Sequence, residues 1–131
     1  MLKINFMKII KTILFSLFGL VMINGGLSKF FNYMPPPKDL PEALTRDNAA
    51  FAEISWLMPL LAFAELLSGI LILIPRTRAL GALVIFPVMV GILLTHITVA
   101  PEGLLIALVL WAILLWIIID NRHKLLPIIN K

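Results

Sequence analysis

Four long apolar runs, parted by short polar or proline-bearing interruptions, set the pattern of this chain: residues 9–31, 56–74, 79–99 and 103–119. A helix rising ~1.5 Å per residue needs about 20 residues to cross ~30 Å of hydrocarbon, and each run has close to that length. The interruptions read as helix ends. Pro75 closes the second run and Arg76-Thr77-Arg78 makes a basic turn. Pro101-Glu102-Gly103 makes a second tight turn, with Glu102 near the start of the fourth helix. Asp120-Asn121-Arg122-His123-Lys124 ends that helix, and Pro127 is expected to limit any helix beyond it. Within the runs, Pro59 falls in a first turn, where proline is tolerated, and Pro87 is expected to kink the third helix.

Residues 32–55 are the one long connection. Pro35, Pro36 and Pro37 impose an extended turn. Leu40, Leu44, Asp47, Phe51 and Ile54 then recur at helical spacing among Asp39, Glu42, Arg46 and Glu53. This pattern predicts a short amphipathic helix over residues 41–53, lying at the membrane surface, with Asp39 near its start and Pro41 in its first turn. The expected fold is therefore all-α: one transmembrane domain over residues 1–131, an antiparallel four-helix bundle with that short helix in its first outer loop.

Composition supports solvation by lipid. The chain has 131 residues, of which 61% are hydrophobic and 14% charged, against roughly 45–50% and about 25% in soluble domains. A chain this short cannot bury such an excess in water. The net charge of +4 would suggest a nucleic-acid partner only if the basic residues clustered on one face. They flank the apolar runs instead. Lys3, Lys8, Lys11, Arg76, Arg78, Arg122, Lys124 and Lys131 fall on one side of the bundle. Lys38 and Arg46 fall on the other, with Asp39, Glu42, Asp47, Glu53 and Glu102. The positive-inside rule places both termini in the cytoplasm and the proline loop outside. Lysines ahead of an apolar run also describe a signal peptide, with Gly25, Gly26 or Ser28 near its cleavage point. The apolar continuation through Leu27, Phe30, Phe31 and Tyr33 fits an uncleaved span better.

A few polar residues lie inside the runs. Glu65 sits near the middle of the second, where a charge costs a few kcal/mol in hydrocarbon. Counted from the outer face, Glu65 is roughly 13 Å deep, Asn24 roughly 10 Å, and Lys29 and His96 roughly 3–5 Å. Lys29 can snorkel outward or fold inward toward Glu65. Ala62, Glu65 and Gly69 share a stripe on one helix; Gly25 and Lys29, with Gly26 beside them, share another; Pro87, Gly91 and Thr95 share a third. Small residues let helices approach closely in lipid, so Gly25, Gly26, Gly69 and Gly91 are expected packing positions. Facing one another, these stripes would build a polar pocket lined by Asn24, Lys29, Glu65, Thr95 and His96. A ligand or proton site and a purely structural pair that locks register are both open readings. Trp111 and Trp116 read as packing or interfacial residues, and His123 as solvated.

The chemistry available is narrow. With no cysteine, the chain has no disulfide, Fe–S cluster, thiol chemistry or covalently attached c-type haem. Its two histidines, His96 and His123, fall on opposite sides of the membrane and cannot share a haem. One His, one Glu and one Asn make too thin a set for a metal site. No glycine-rich phosphate loop and no nucleophile–base pair stands out, so no catalytic residue is assigned. A quinone or other small lipophilic ligand stays open, because its headgroup needs only one or two hydrogen-bonding residues in an apolar cleft.

Several short motifs resemble the DoxX family of small bacterial membrane proteins. Gly26-Leu27-Ser28-Lys29-Phe30 resembles its G-x-x-K-F element, Glu65 with Gly69 its E-x-x-x-G-x-x-L element, and Arg78-Ala79-Leu80-Gly81 the basic start of its third span. Met34-Pro35-Pro36-Pro37 is similar to the outer loop of one branch. Ile74-Pro75 stands where many relatives have a glycine. The resemblance runs from Gly19 to Ile119 and implies a four-helix protein of the bacterial cytoplasmic membrane. It implies a non-catalytic subunit or anchor of a redox or respiratory assembly, linked to quinone and with an oxidoreductase or other membrane protein as partner. A small proton-coupled transporter, which would need to oligomerise, and a membrane-protein assembly factor are the alternatives.

Overall fold

The computed structural model describes residues 2–31 and 42–129. The polyproline turn and the places of Asp39 and Pro41 lie outside the described residues. Six helices follow in order: α1 Leu2–Phe31, α2 Glu42–Glu53, α3 Leu57–Leu73, α4 Arg78–Thr98, α5 Leu104–Asp120 and α6 Arg122–Ile129. There is no strand among the described residues. Three stretches are long and apolar enough to cross a membrane by themselves: Phe6–Phe31, Pro75–Thr98 and Pro101–Asp120. The 17-residue α3 is shorter. It joins them as a fourth span when counted with α2, from which it turns by 96° at Ile54–Trp56.

The connections are set by local chemistry. Ile74 is extended (φ −92°, ψ 116°), as a residue before proline is biased to be, and this stops α3. The chain then makes one 3-10 turn, Pro75–Thr77, and α4 begins. The last carbonyls of α3 have no partner within the helix. Thr77 Oγ1 donates to the Leu71 carbonyl at 2.8 Å, and Arg78 Nε donates to the Ile72 carbonyl at 2.7 Å. At the other end, the N–H groups of Val99 and Ala100 both donate to the Thr95 carbonyl before the Pro101–Gly103 turn. Asn121 finishes α5, its buried amide donating to the Ile117 carbonyl at 2.8 Å.

Pairings across the bundle give its topology. Gly19 meets Gly69 and Gly26 meets Ala62, so α1 and α3 run antiparallel. Phe15 stacks edge-on against Trp116, with ring centroids 5.6 Å apart, and Lys11 pairs with Asp120, so α1 and α5 are antiparallel as well. Trp111 Nε1 donates to the Met89 carbonyl at 2.9 Å, while His96 lies against Gly103, so α4 and α5 are antiparallel too. The ring α1–α3–α4–α5 is thereby closed. Phe15, Phe18, Met22, Ile72, Ile85, Met89, Leu114 and Ile117 fill its interior. Outward-facing Leu80, Leu94, Ile97, Leu105, Ile106 and Ile119 are more than half exposed, which is consistent with a lipid bilayer around the bundle. Both tryptophans of α5 are packing residues.

One expectation is corrected. Helical structure does not end at Pro127, because α6 runs through it to Ile129. A proline's fixed φ near −65° is itself helical. Its lost N–H bond falls near the end of a short helix with no buried residue, where water can solvate the freed carbonyl.

Candidate functional site

The polar site begins with the seam between α1 and α3, the largest helix–helix interface in the molecule. A β-carbon built on Gly26 would lie 2.6 Å from the Ala62 carbonyl oxygen, and one on Gly69 would lie 2.6 Å from that of Gly19. Only glycine allows the two backbones this approach. It brings Glu65 directly against α1: a β-carbon on Gly25 would lie 2.6 Å from Glu65 Oε2. One turn further along α1, Lys29 folds inward, and its ammonium donates to Oε1 and Oε2, each at 2.9 Å. The Glu65 side chain is only 7% exposed and that of Lys29 28%. The carboxylate is thus taken out of its surroundings and held by a cation that still reaches the surface. Ser68, also buried, donates back to the Glu65 main-chain carbonyl at 3.0 Å.

The pair forms one wall of a cavity of about 420 Å³. Helix α2 contributes Asn48 and Phe51, α3 contributes Leu57, Met58 and Leu61, and α4 contributes Pro87, Val88, Gly91, Ile92, Thr95 and His96. The lining is mostly apolar with a few polar groups. Thr95 Oγ1 donates to the Gly91 carbonyl at 2.9 Å, leaving its lone pairs to accept. His96 Nδ1 lies 3.0 Å from the Ala100 carbonyl. A carbonyl can only accept, so the proton belongs on Nδ1, and Nε2 of the neutral ring is then an acceptor. The ring fits there because residue 103 is glycine; a β-carbon at that position would run into His96 Cε1.

Of the residues singled out by the sequence, Lys29, Glu65, Thr95 and His96 line this cavity together. Asn24 is exposed on α1 and does not line it. Gly25, Gly26 and Gly69 stand in the α1–α3 seam, whereas a β-carbon on Gly91 would meet nothing within 4 Å. Gly91 is space at the cavity wall. Sequence reasoning missed Asn48 and Phe51, which the bend between α2 and α3 brings over the cavity. Their signal was present in the i, i+3 spacing on an amphipathic helix. It also missed Gly19, which shares a face with Gly26 two turns away.

A second polar cluster occupies the end of the bundle near the chain termini, and no motif announced it. Lys11 Nζ lies 2.6 Å from Asp120 Oδ1, both side chains about one-third exposed. The Arg78 guanidinium rests 5.2 Å above the centroid of the Phe15 ring.

Comparison with known proteins adds the following. The sequence profile of the DoxX family matches residues 11–98, from the third turn of α1 to the end of α4. The uncharacterized protein YwoB of Bacillus subtilis (strain 168) is 36% identical over 74 residues, which cover 54% of this chain and 46% of that protein. The matched stretch is thus about half of each. No solved structure matches the chain.

Proposed function

The chain belongs to the DoxX family of integral membrane proteins, and from that premise we propose that it is a non-catalytic membrane subunit or anchor of a quinone-linked redox assembly. In this reading the cavity at the α2 end takes the quinone headgroup. Both termini lie in the cytoplasm and α2 lies on the outer face, as the distribution of lysine and arginine favours.

One observation carries the reading: a nearly buried carboxylate and its lysine partner form a wall of a mostly apolar cavity. An ionisable residue inside a membrane is by default a candidate for a functional site. The donor set fits a quinone. The Lys29 ammonium has three N–H donors and gives two to Glu65, which leaves one for a quinone oxygen. Thr95 and His96 offer acceptors for the hydroxyls of the reduced form. Leu57, Met58, Leu61 and Ile92 suit an apolar ring. Bound quinone would supply two-electron redox chemistry. The chain's own residues bind, orient and exclude water.

The test is purification of the full chain in native-lipid discs, with mass spectrometry of co-purifying lipophiles and proteins. The expected result is near-stoichiometric quinone or a stoichiometric oxidoreductase, with quinone reduced in Glu65→Gln at unchanged membrane insertion. A protein that carries neither, or a Glu65→Gln variant with full quinone occupancy, overturns the proposal.

A further inference from the structure

The cleft at the terminus end of the bundle, about 560 Å³, is independent of the quinone reading. Lys8, Lys11 and Arg78 line it, with Asp120 as the one carboxylate. The charges do not cancel. Asp120 pairs with Lys11 and also attracts Arg78 from a greater distance, and among the described residues neither Lys8 nor the terminal nitrogens of Arg78 have a hydrogen bond or close ion pair. Arg78 is held in place from behind, by its Nε bond to the Ile72 carbonyl and by the face of Phe15. Its terminal N–H groups are therefore a fixed fork, the geometry that pairs with phosphate oxygens. Thr12 contributes no donor, because its hydroxyl donates to the Lys8 carbonyl at 2.9 Å. Arg76, Arg122 and Lys124 at the same end add to the positive potential.

The rest of the lining is apolar: Met7, Phe15 and Pro75. A second groove of about 510 Å³, lined by Lys8, Ile9, Thr12 and Ile13, shares Lys8 and Thr12 with the cleft and continues along the outer face of α1. Lys11 also lies five turns from Lys29 on α1, about 27 Å, close to one hydrocarbon thickness. The cleft thus sits where lipid phosphates lie, and an apolar track leads from it into the depth of the acyl chains.

From these features we infer that the cleft binds the phosphate of an anionic phospholipid, with Lys8 and Arg78 on the headgroup and an acyl chain along Ile9 and Ile13. Phosphate is the shared chemistry of a lipid headgroup and the free ion. The apolar track favours the lipid, since a free phosphate gains nothing from it.

The test reconstitutes the full chain in discs of phosphatidylcholine alone or of phosphatidylcholine mixed with phosphatidylglycerol. Native mass spectrometry then counts the lipids retained after transfer to detergent, with and without inorganic phosphate as competitor. The wild-type chain should retain phosphatidylglycerol in preference to phosphatidylcholine. Lys8→Gln should lower that retention by about fivefold, the equivalent of the ~1 kcal/mol contributed by a basic residue at an anionic surface. Arg78→Gln should lower it further, and Lys8→Gln carries the test if Arg78→Gln does not fold. Arg122→Gln removes the same charge from the same end but outside the cleft, and should lower retention much less than Lys8→Gln does. Equal retention of the two lipids, or an equal loss in Arg122→Gln, overturns the site. Full displacement by inorganic phosphate overturns the lipid and assigns the cleft to the free ion.

Discussion

Helix α1 carries a lysine–carboxylate pair at each end, and the two pairs are built in opposite ways. At the α2 end, Lys29 meets both oxygens of a Glu65 that is almost wholly buried in the seam with the next long helix in the chain. At the terminus end, Lys11 meets one oxygen of an Asp120 that is one-third exposed, on the last of the four bundle helices. A buried pair is an all-or-none arrangement: removing one member strands the other, at ~3–5 kcal/mol, although replacing both with apolar residues can cost nothing. An exposed pair contributes ~0.2–1 kcal/mol, and salt screens it. The first pair therefore fixes the position of a carboxylate inside the membrane. The second mainly neutralises one charge in a cationic cleft.

The sharpest way to break this comparison is to strand Glu65. Lys29→Met should destabilise the protein by about 3 kcal/mol, read as reversible unfolding in detergent, while Lys29→Met with Glu65→Leu should recover most of that loss. If the double variant is as unstable as the single one, Lys29 contributes packing rather than charge. Next in size is the seam that positions the pair. Gly69→Ala places a β-carbon against a backbone carbonyl that cannot yield, and should cost ~1–3 kcal/mol. The same assay checks it, and disruption of the Lys29–Glu65 contact should accompany the loss. Lys11→Gln should cost no more than about 1 kcal/mol, and the difference from wild type should shrink as salt is raised. A loss as large as that of Lys29→Met would make the two pairs equivalent. The smallest effect is expected at Gly91→Ala, within about 0.5 kcal/mol, because the new methyl group meets nothing. Gly91→Phe, by contrast, should occupy the cavity and lower ligand retention without unfolding the bundle.

Much of the fold was legible because the apolar runs, the prolines and the basic flanks all mark the same boundaries. The predicted short helix over residues 41–53 corresponds to α2, Glu42–Glu53. The site was legible in depth but not in rotation. Counting residues placed Asn24 beside Glu65, yet one residue turns a helix by about 100°. Gly25 faces α3, and Asn24 is turned out of the cavity. The inward fold of Lys29 depends on the Gly25 space and the partner waiting there, which are tertiary facts. The terminus-end cluster was hidden for another reason. Lys11, Arg78 and Asp120 each sit at the edge of a different apolar run, where they read as ordinary flanking charges. Only the closure of α5 against α1 brings them together.

The order of that closure matters for how the protein enters the membrane. The α1–α3 seam joins the first two long helices to be synthesised, so the hairpin that contains Gly19, Gly26, Gly69 and the Lys29–Glu65 contact can assemble before α4 and α5 exist. Glu65 then passes into lipid already neutralised by its partner, and the few kcal/mol that a solitary carboxylate would add to the insertion barrier do not have to be met by later helices. Lys11 waits for Asp120 until the last span has been made. A ribosome-stalled chain that ends soon after α3 should already hold the first pair and lack the second.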